Sequence, residues 1–566
     1  MAEFKGKTHE YPLTVRDMLR VSTSLFADKP AISVKKDGAY HAYTYSCLAD
    51  DIHALGTALA NKGFLGKKLL ILGDNGYEWA LALLTALSGD FTAIPLDKTL
   101  SATDVAQLCQ YTEADAILYS DRYPEAASAL PEDTAAIPFS SFGALLEEGR
   151  ALIENGEEAF LSAKPDTDAP ALLLLSSGAG TVPRDILLSN RNLCFTVVNA
   201  ASALDLTSAD SFLSLLPLHH AYELICGLLL PLSVGASVAF GEGLHAVMKN
   251  INEVHPTALV TAPVISEALW RKVQKLLSSG YGKLGDAEAA ASNLLPRKLS
   301  LPLKKKMFGA IHKAFGGALR TVICGGAAVQ PHIAKGLRDV GFTAVECYGP
   351  AECGTVVTVN SGNTARGGSV GKPIGDATVD IYNKGEDGTG EIRIKCDGIM
   401  LGYYKNECVT AEAVRDGWFY TGDLGYLDKN GNLFVTGRKK NVLIRATGRS
   451  VFPEELEALL IKEPFVKEAV VVGFVNEQKR DYDLVAVVYP DKERLADLYG
   501  ENYTVIDEET EIESVIEKVN AVLPDYKRID RFILRETEFE KTASRRIRRA
   551  GVAASVSEQY FGKLAK

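Results

Sequence analysis

The run Tyr420-Thr421-Gly422-Asp423 is followed closely by Gly437-Arg438-Lys439-Lys440. A short strand pair would bring Asp423 beside Arg438. An anionic carboxylate accepts from a ribose diol better than a neutral oxygen does, and a guanidinium suits ribose or phosphate. The pair therefore reads as one end of a nucleotide site, at a point where the texture of the chain changes.

Three other runs carry matching chemistry. The apolar stretch Leu172–Leu175 leads into Ser176-Ser177-Gly178-Ala179-Gly180-Thr181-Val182-Pro183-Arg184-Asp185. Small residues after a strand let backbone N–H groups approach phosphates, and the hydroxyls and Arg184 add to the grip. An ordinary Gly/Ser turn has the same composition. Further on, Cys324-Gly325-Gly326-Ala327-Ala328 precedes Tyr348-Gly349-Pro350-Ala351-Glu352. Paired glycines admit a flat ring, Tyr348 offers an aromatic face to an adenine, and Glu352 is an oxygen ligand for Mg²⁺. Leu216-Pro217-Leu218-His219-His220-Ala221-Tyr222-Glu223 sets histidines in an apolar stretch, where a core role is the ordinary reading. The tail Lys541 to Arg549 is strongly basic, which by itself fits a solvated or lipid-facing patch.

The elements that must hold these residues alternate. Lys68–Gly73, Phe91–Leu96, Ala116–Tyr119 and Ala171–Leu175 read as buried strands, and Glu78–Ser88 reads as an amphipathic helix. Strand–helix alternation predicts a mostly parallel α/β sheet, continued from Ala258 to Cys324. From about Gly368 to Leu433, short strands and the turns Asp387-Gly388, Asp416-Gly417 and Asn430-Gly431 predict a small antiparallel β unit or barrel. Beyond Lys440, strands near Ala469–Val472 and Leu484–Val488, with helices near Pro453–Lys462 and Glu511–Val522, predict an α+β domain. The fold class is thus α/β: a large N-terminal domain of parallel-sheet layers with a small β-barrel-like unit, and a smaller α+β C-terminal domain.

At 566 residues the chain exceeds one hydrophobic core. A net charge of −11 argues against non-specific nucleic-acid binding. The nine cysteines show no CxxC pair and no zinc spacing, as expected of reduced thiols in the cytoplasm. No signal-peptide core follows Met1-Ala2-Glu3-Phe4-Lys5. The uncharged stretch Leu224–Gly241 is broken by Gly and Pro and reads as a helix followed by a strand. Pro296–Phe315, with Lys304-Lys305-Lys306 among Leu, Met and Phe, fits equally a solvated helix face and peripheral contact with a membrane. Oligomeric state is not legible.

In order and spacing these runs resemble the motifs of the adenylate-forming superfamily, which includes acyl-CoA synthetases, peptide-synthetase adenylation domains and luciferases. The long-chain fatty acyl-CoA synthetases are the most similar group. The resemblance implies an AMP-binding domain over 1–437, with its β-barrel-like part at about 368–436, and a mobile C-terminal domain over 438–566 that rotates about Lys440. It implies nucleotide contacts from Ser176, Ser177, Gly178, Gly180, Thr181, Gly325, Gly326, Ala327, Tyr348, Gly349, Ala351, Asp423 and Arg438, and Mg²⁺ on Glu352. His220 would lie by the bound carboxylate. Arg184 and Arg546 stand where the family has lysines; the second of those lysines bridges the carboxylate and the α-phosphate. Thr181 and Asp185 replace glycines, and Ala351 replaces a threonine, so Asp185 would bring negative charge near the phosphates. The implied function is activation of a fatty carboxylate by ATP and its transfer to CoA. The alternative is a homologue that binds AMP or acyl-AMP without efficient turnover, because the departures gather at the phosphate end.

Overall fold

The computed structural model describes residues 12–175, 184–280, 301–326, 329–361, 365–445, 449–476, 478–500, 502–541, 547–549 and 551–564. The expected site residues Ser176, Ser177, Gly178, Gly180, Thr181, Ala327 and Arg546 lie outside them. By compactness the chain forms two units, Met1–Val379 with Ile394–Phe419, and Asp380–Arg393 with Tyr420–Lys566. Residues 380–393 and 420–437, expected on the N-terminal side of a boundary at 437/438, cluster with the C-terminal residues.

The first unit holds a seven-stranded and a nine-stranded sheet. In the seven-stranded sheet Lys68–Leu72 runs parallel to Thr92–Leu96 and Ala116–Tyr119, and Thr92–Leu96 to Pro170–Leu174. Ile186–Ser189 and then Gly402–Tyr403 complete one edge antiparallel. In the nine-stranded sheet Ser211–Ser214 lies parallel between Ser237–Phe240 and Ala258–Thr261, followed by Thr321–Cys324 and Thr343–Tyr348. Leu69, Leu70, Ile71 and Leu72 are all buried, the continuous apolar run of a strand covered on both faces.

The helix Tyr77–Ser88 departs from the amphipathic expectation, since every residue in it except Glu78 is buried. It packs on Lys68–Leu72 and Thr92–Leu96 of one sheet and on Pro30–Lys36 of the other, so it has no solvent side. Leu213, Leu259, Trp270, Phe315 and Phe342 belong to a core cluster on the nine-stranded sheet, and Leu70, Ile94, Ile117 and Leu173 to one on the seven-stranded sheet. The uncharged stretch resolves into a π-helical turn Leu224–Leu229, a short helix Leu230–Ser233 and the strand Ser237–Phe240. Among the described residues no helix is long and apolar enough to cross a membrane.

In the β-rich region Asp416 and Gly417 both take positive φ, 52° and 74°, and close the antiparallel pairing of Arg415 with Trp418. This is the hairpin turn that Asp-Gly favours. The second unit contains the pairing of Asp423–Leu427 with Leu433–Arg438, and a three-stranded sheet of Val466–Asn476, Asp481–Pro490 and Arg531–Leu534. Helices Pro453–Leu460 and Val505–Ala521 cover that sheet through Leu456, Leu460, Ile512 and Val515. The second helix begins six residues before the expected Glu511, at a capping box formed by Thr504 and Asp507.

Candidate active site

The hairpin register sets Asp423 directly opposite Arg438. Arg438 Nε lies 2.7 Å from Asp423 Oδ1, with the Asp423 side chain 7% exposed and that of Arg438 43% exposed. Gly422, at φ +68°, turns the strand here. Thr421 fixes the approach: its hydroxyl donates to the Ile392 carbonyl at 2.8 Å and accepts from the Asp423 N–H at 3.0 Å. The expected pair therefore forms within the chain, and much of the Arg438 guanidinium stays open to solvent. Lys439 turns to Glu391 at 2.8 Å, while Lys440 stands exposed in the 3₁₀ turn Lys439–Asn441.

In the first unit Glu352 lies in a 3₁₀ turn, Ala351–Cys353, that follows the strand Thr343–Tyr348. The Tyr403 hydroxyl donates to Glu352 Oε1 at 2.9 Å, and the Met400 N–H to the Glu352 carbonyl at 2.7 Å. The Arg184 guanidinium lies 5.9 Å from the centre of the Tyr403 ring. Burial first, and the Glu352 charge second, hold the Tyr403 hydroxyl above its ordinary pKa, so it stays a donor. Tyr403 carried no sequence signal. It arrives because Gly402–Tyr403 pairs with Ile186–Ser189, the strand that follows the phosphate-loop run.

Asp185 has partners within the chain. It is buried, the Tyr111 hydroxyl bonds to its carboxylate, and its carbonyl accepts from the Tyr404 N–H at 2.7 Å. Burial and this carboxylate together push the Tyr111 hydroxyl up.

The glycine pair meets a ring from the protein itself. A Cβ on Gly325 would come within 2.7 Å of the Tyr222 ring, and Gly326 has φ +71°. The Tyr222 hydroxyl donates to the Ile323 carbonyl at 3.1 Å. Gly349 likewise answers to packing, since a Cβ there would stand 2.6 Å from the Thr355 backbone. Tyr348 is half-buried at the end of its strand.

The spacing of the histidine run now has a geometric reason. Glu223, three residues after His220, turns back beneath the loop: Ser214 Oγ donates to its Oε1 at 2.6 Å, and its carboxyl faces the N–H groups of Leu215 and Leu216. A Cβ on Gly227 would sit 2.5 Å from the same carboxyl, so the π-helical turn needs glycine there. Complete burial raises the Glu223 pKa to about 8 against these hydrogen bonds. His219 and His220 rings lie 4.2 Å apart, and His219 Nε2 lies 3.6 Å from Asp97 Oδ2. Burial, then His220, lowers the His219 pKa to about 4, leaving a neutral imidazole.

The structure thus gathers Arg184, Glu352 and Tyr403 at one point, and Tyr222, Gly325 and Gly326 at another. A sequence profile of the AMP-binding enzyme matches residues 19–404. The chain belongs to the AMP-binding enzyme family. The profile of the AMP-binding enzyme C-terminal domain matches residues 455–546.

Among relatives of this AMP-binding enzyme is the long-chain-fatty-acid–CoA ligase FadD15 of Mycobacterium bovis, 28% identical over 82% of this chain and 81% of that protein. The anthranilate CoA ligase AuaEII in complex with anthranoyl-AMP shares the fold, with a TM-score of 0.76 at 20% identity over 97% of this chain and 98% of that one. So does the O-succinylbenzoate coenzyme A synthetase MenE of Bacillus subtilis in complex with ATP and magnesium ion, with a TM-score of 0.71 at 21% identity over 94% and 98%. The expected α/β class is that of these adenylate-forming enzymes, and ATP, Mg²⁺ and CoA are the reactants and metal of adenylate-forming CoA ligases.

The donor set suits a hard cation sparingly. Among the described residues no cluster of three His, Cys, Asp or Glu side chains stands ready for a metal. Glu352 spends one oxygen on Tyr403. That fits Mg²⁺ taken by one carboxylate together with substrate phosphates.

Proposed function

We propose that this AMP-binding enzyme is an ATP-dependent ligase that activates a fatty, long-chain carboxylate and transfers it to CoA. The observation that carries the reading is the meeting of Glu352 with Tyr403, whose ring lies 5.9 Å from the Arg184 guanidinium: a carboxylate suited to a metal, and a cation on the same tyrosine. The chain length rests on the resemblance of Leu216–Glu223 to long-chain synthetases and on the name of the FadD15 relative.

In the first half-reaction the substrate carboxylate attacks the α-phosphorus of ATP, and pyrophosphate leaves with the electrons of the broken P–O bond. In the second, the CoA sulfur attacks the acyl carbon and AMP leaves. Such chemistry depends on positioning and on neutralising charge. Asp423 accepts from the ribose hydroxyls and Arg438 steadies it. Glu352 holds Mg²⁺, which supplies charge neutralisation at the phosphates when bound. Arg184 and Arg546 supply cations, and His220 lines the carboxylate end. Ser176, Ser177, Gly178, Gly180 and Thr181 cradle phosphates, Ala351 stands at the same end beside Glu352, and Gly325, Gly326, Ala327, Tyr348 and Gly349 form the adenine side. Lys440 is the hinge of a C-terminal domain over 438–566. The setting is cytoplasmic, with peripheral membrane contact read on Leu301–Met307, where Leu303 and Met307 are exposed beside Lys305 and Lys306.

The relatives lend the binding-only alternative no support. The test measures fatty-acid-dependent pyrophosphate release, and thioester formation from CoA and a supplied acyl-adenylate. Turnover in both is expected; none in either, across chain lengths, would overturn the reading.

A further inference from the structure

Asn75 lies in the bend between the strand Lys68–Leu72 and the helix Tyr77–Ser88. Its side chain reaches the histidine loop with both ends of the amide. Nδ2 donates to the Leu216 carbonyl at 2.8 Å, and Oδ1 accepts from the Leu218 N–H at 3.1 Å. The loop sits at the C-terminal end of Ser211–Ser214 in the nine-stranded sheet, while Asn75 sits at the C-terminal end of a strand in the seven-stranded sheet. One side chain therefore joins the carboxyl ends of parallel strands from two different sheets, where α/β folds place their ligands.

We infer that Asn75 is a positioning residue for the acyl end of the site, holding the Leu216–Leu218 backbone so that His220 meets the substrate carboxylate at a fixed place. This rests on the ligase reading above. Three features make the clamp more than packing. It is bidentate, so it fixes the loop in rotation as well as distance. It grips just ahead of the turn in which the His220 N–H donates to the Pro217 carbonyl at 3.1 Å. It is also joined, at the start of the same loop, by Glu223, whose Oε1 accepts from Ser214 Oγ at 2.6 Å. With the loop held at Ser214 and at Leu216–Leu218, the His219–His220 pair has a fixed lead-in, and Asp97 Oδ2 lies 3.6 Å from His219 Nε2. Neither Asn75 nor a partner for it stands out in the sequence, because the loop it binds is remote in the chain.

The test compares the native chain with Asn75→Leu, which keeps the volume and loses both bonds, and Asn75→Asp, which keeps only the acceptor for Leu218. Hydrogen exchange at the Leu218 amide is read first and needs no substrate. Faster exchange in Asn75→Leu, with the strands of both sheets unchanged, is expected. Kinetics follow: a rise of about tenfold or more in KM for the fatty acid, with KM for ATP within about twofold, and Asn75→Asp in between. A merely structural role would lower the melting midpoint and leave this split absent. Unchanged exchange at Leu218, or equal changes in both KM values, would sink the inference. If the native chain turns over no acyl substrate, the ligase reading fails, and the clamp stands or falls on exchange alone.

Discussion

The Tyr403 hydroxyl donates to Glu352 Oε1 at 2.9 Å, so a residue on an edge strand fixes the one carboxylate in the first unit assigned to the metal. Tyr403→Phe leaves that oxygen without its donor while keeping the ring under Arg184. A hydrogen bond to a charged group is worth about 1.5–3 kcal/mol. The expected result is a loss of about ten- to a hundredfold in kcat/KM for ATP, with a higher Mg²⁺ requirement, read from pyrophosphate release across a magnesium titration.

Asp423 and Arg438 separate binding from stability. Asp423→Asn removes the anion from the ribose end and is expected to raise KM for ATP by about tenfold or more, at a little cost to folding. Arg438→Ala leaves Asp423 buried without the cation 2.7 Å away. Because Arg438 is itself partly exposed, the expected cost is about 1–2 kcal/mol, between that of an exposed pair and that of a broken buried pair. Urea unfolding of the two variants beside their ATP saturation curves checks both statements.

Glu223 makes the first unit sensitive to alkali. Its pKa rises from 4.5 to about 8 on folding, through burial. Between those values the unfolded chain has lost the proton that the folded chain keeps, so stability falls as pH rises from about 4.5 to about 8 and levels off above. Glu223→Gln keeps a neutral acceptor for Ser214 and is expected to flatten that slope. Thermal midpoints from pH 5 to pH 9 for the two proteins give the comparison, and parallel slopes would refute it.

Gly325→Ala sets a methyl within 2.7 Å of the buried Tyr222 ring. Overpacking of this kind costs about 1–3 kcal/mol. The ring must move, and its hydrogen bond to the Ile323 carbonyl goes with it. A lower melting midpoint and weaker AMP binding by calorimetry are expected together.

Arg546→Lys exchanges a planar fork for a compact point charge at the position that the family gives to lysine. Faster acyl-adenylate formation is expected, with the thioester step from supplied adenylate unchanged. Stopped-flow measurement of each half-reaction distinguishes them.

Much of the architecture was legible because its causes are local. The strand read at Lys68–Gly73 forms as Lys68–Leu72, and Ala116–Tyr119 forms as read, from continuous apolar runs that doubly covered strands bury. The helix expected at Glu78–Ser88 forms as Tyr77–Ser88 but is not amphipathic, because its position between two sheets leaves it no solvent face. The Asp423–Arg438 pair was legible because a hairpin is a short-range device, in which the turn sets the register.

The sequence by itself determined the family, the order of the motifs and which residue types stand in them, since those are properties of the string. Only the tertiary structure decided what each one touches. Tyr403 reaches Glu352 through the pairing of Gly402–Tyr403 with Ile186–Ser189, and Asn75 reaches Leu216 and Leu218 across two sheets. The Asp185 carboxylate, expected to bring charge near the phosphates, is bonded to Tyr111, and the ring that Gly325 meets is Tyr222. Each of these contacts joins residues remote in the chain. Their meeting is fixed by sheet register and packing, to which no local preference of either residue contributes.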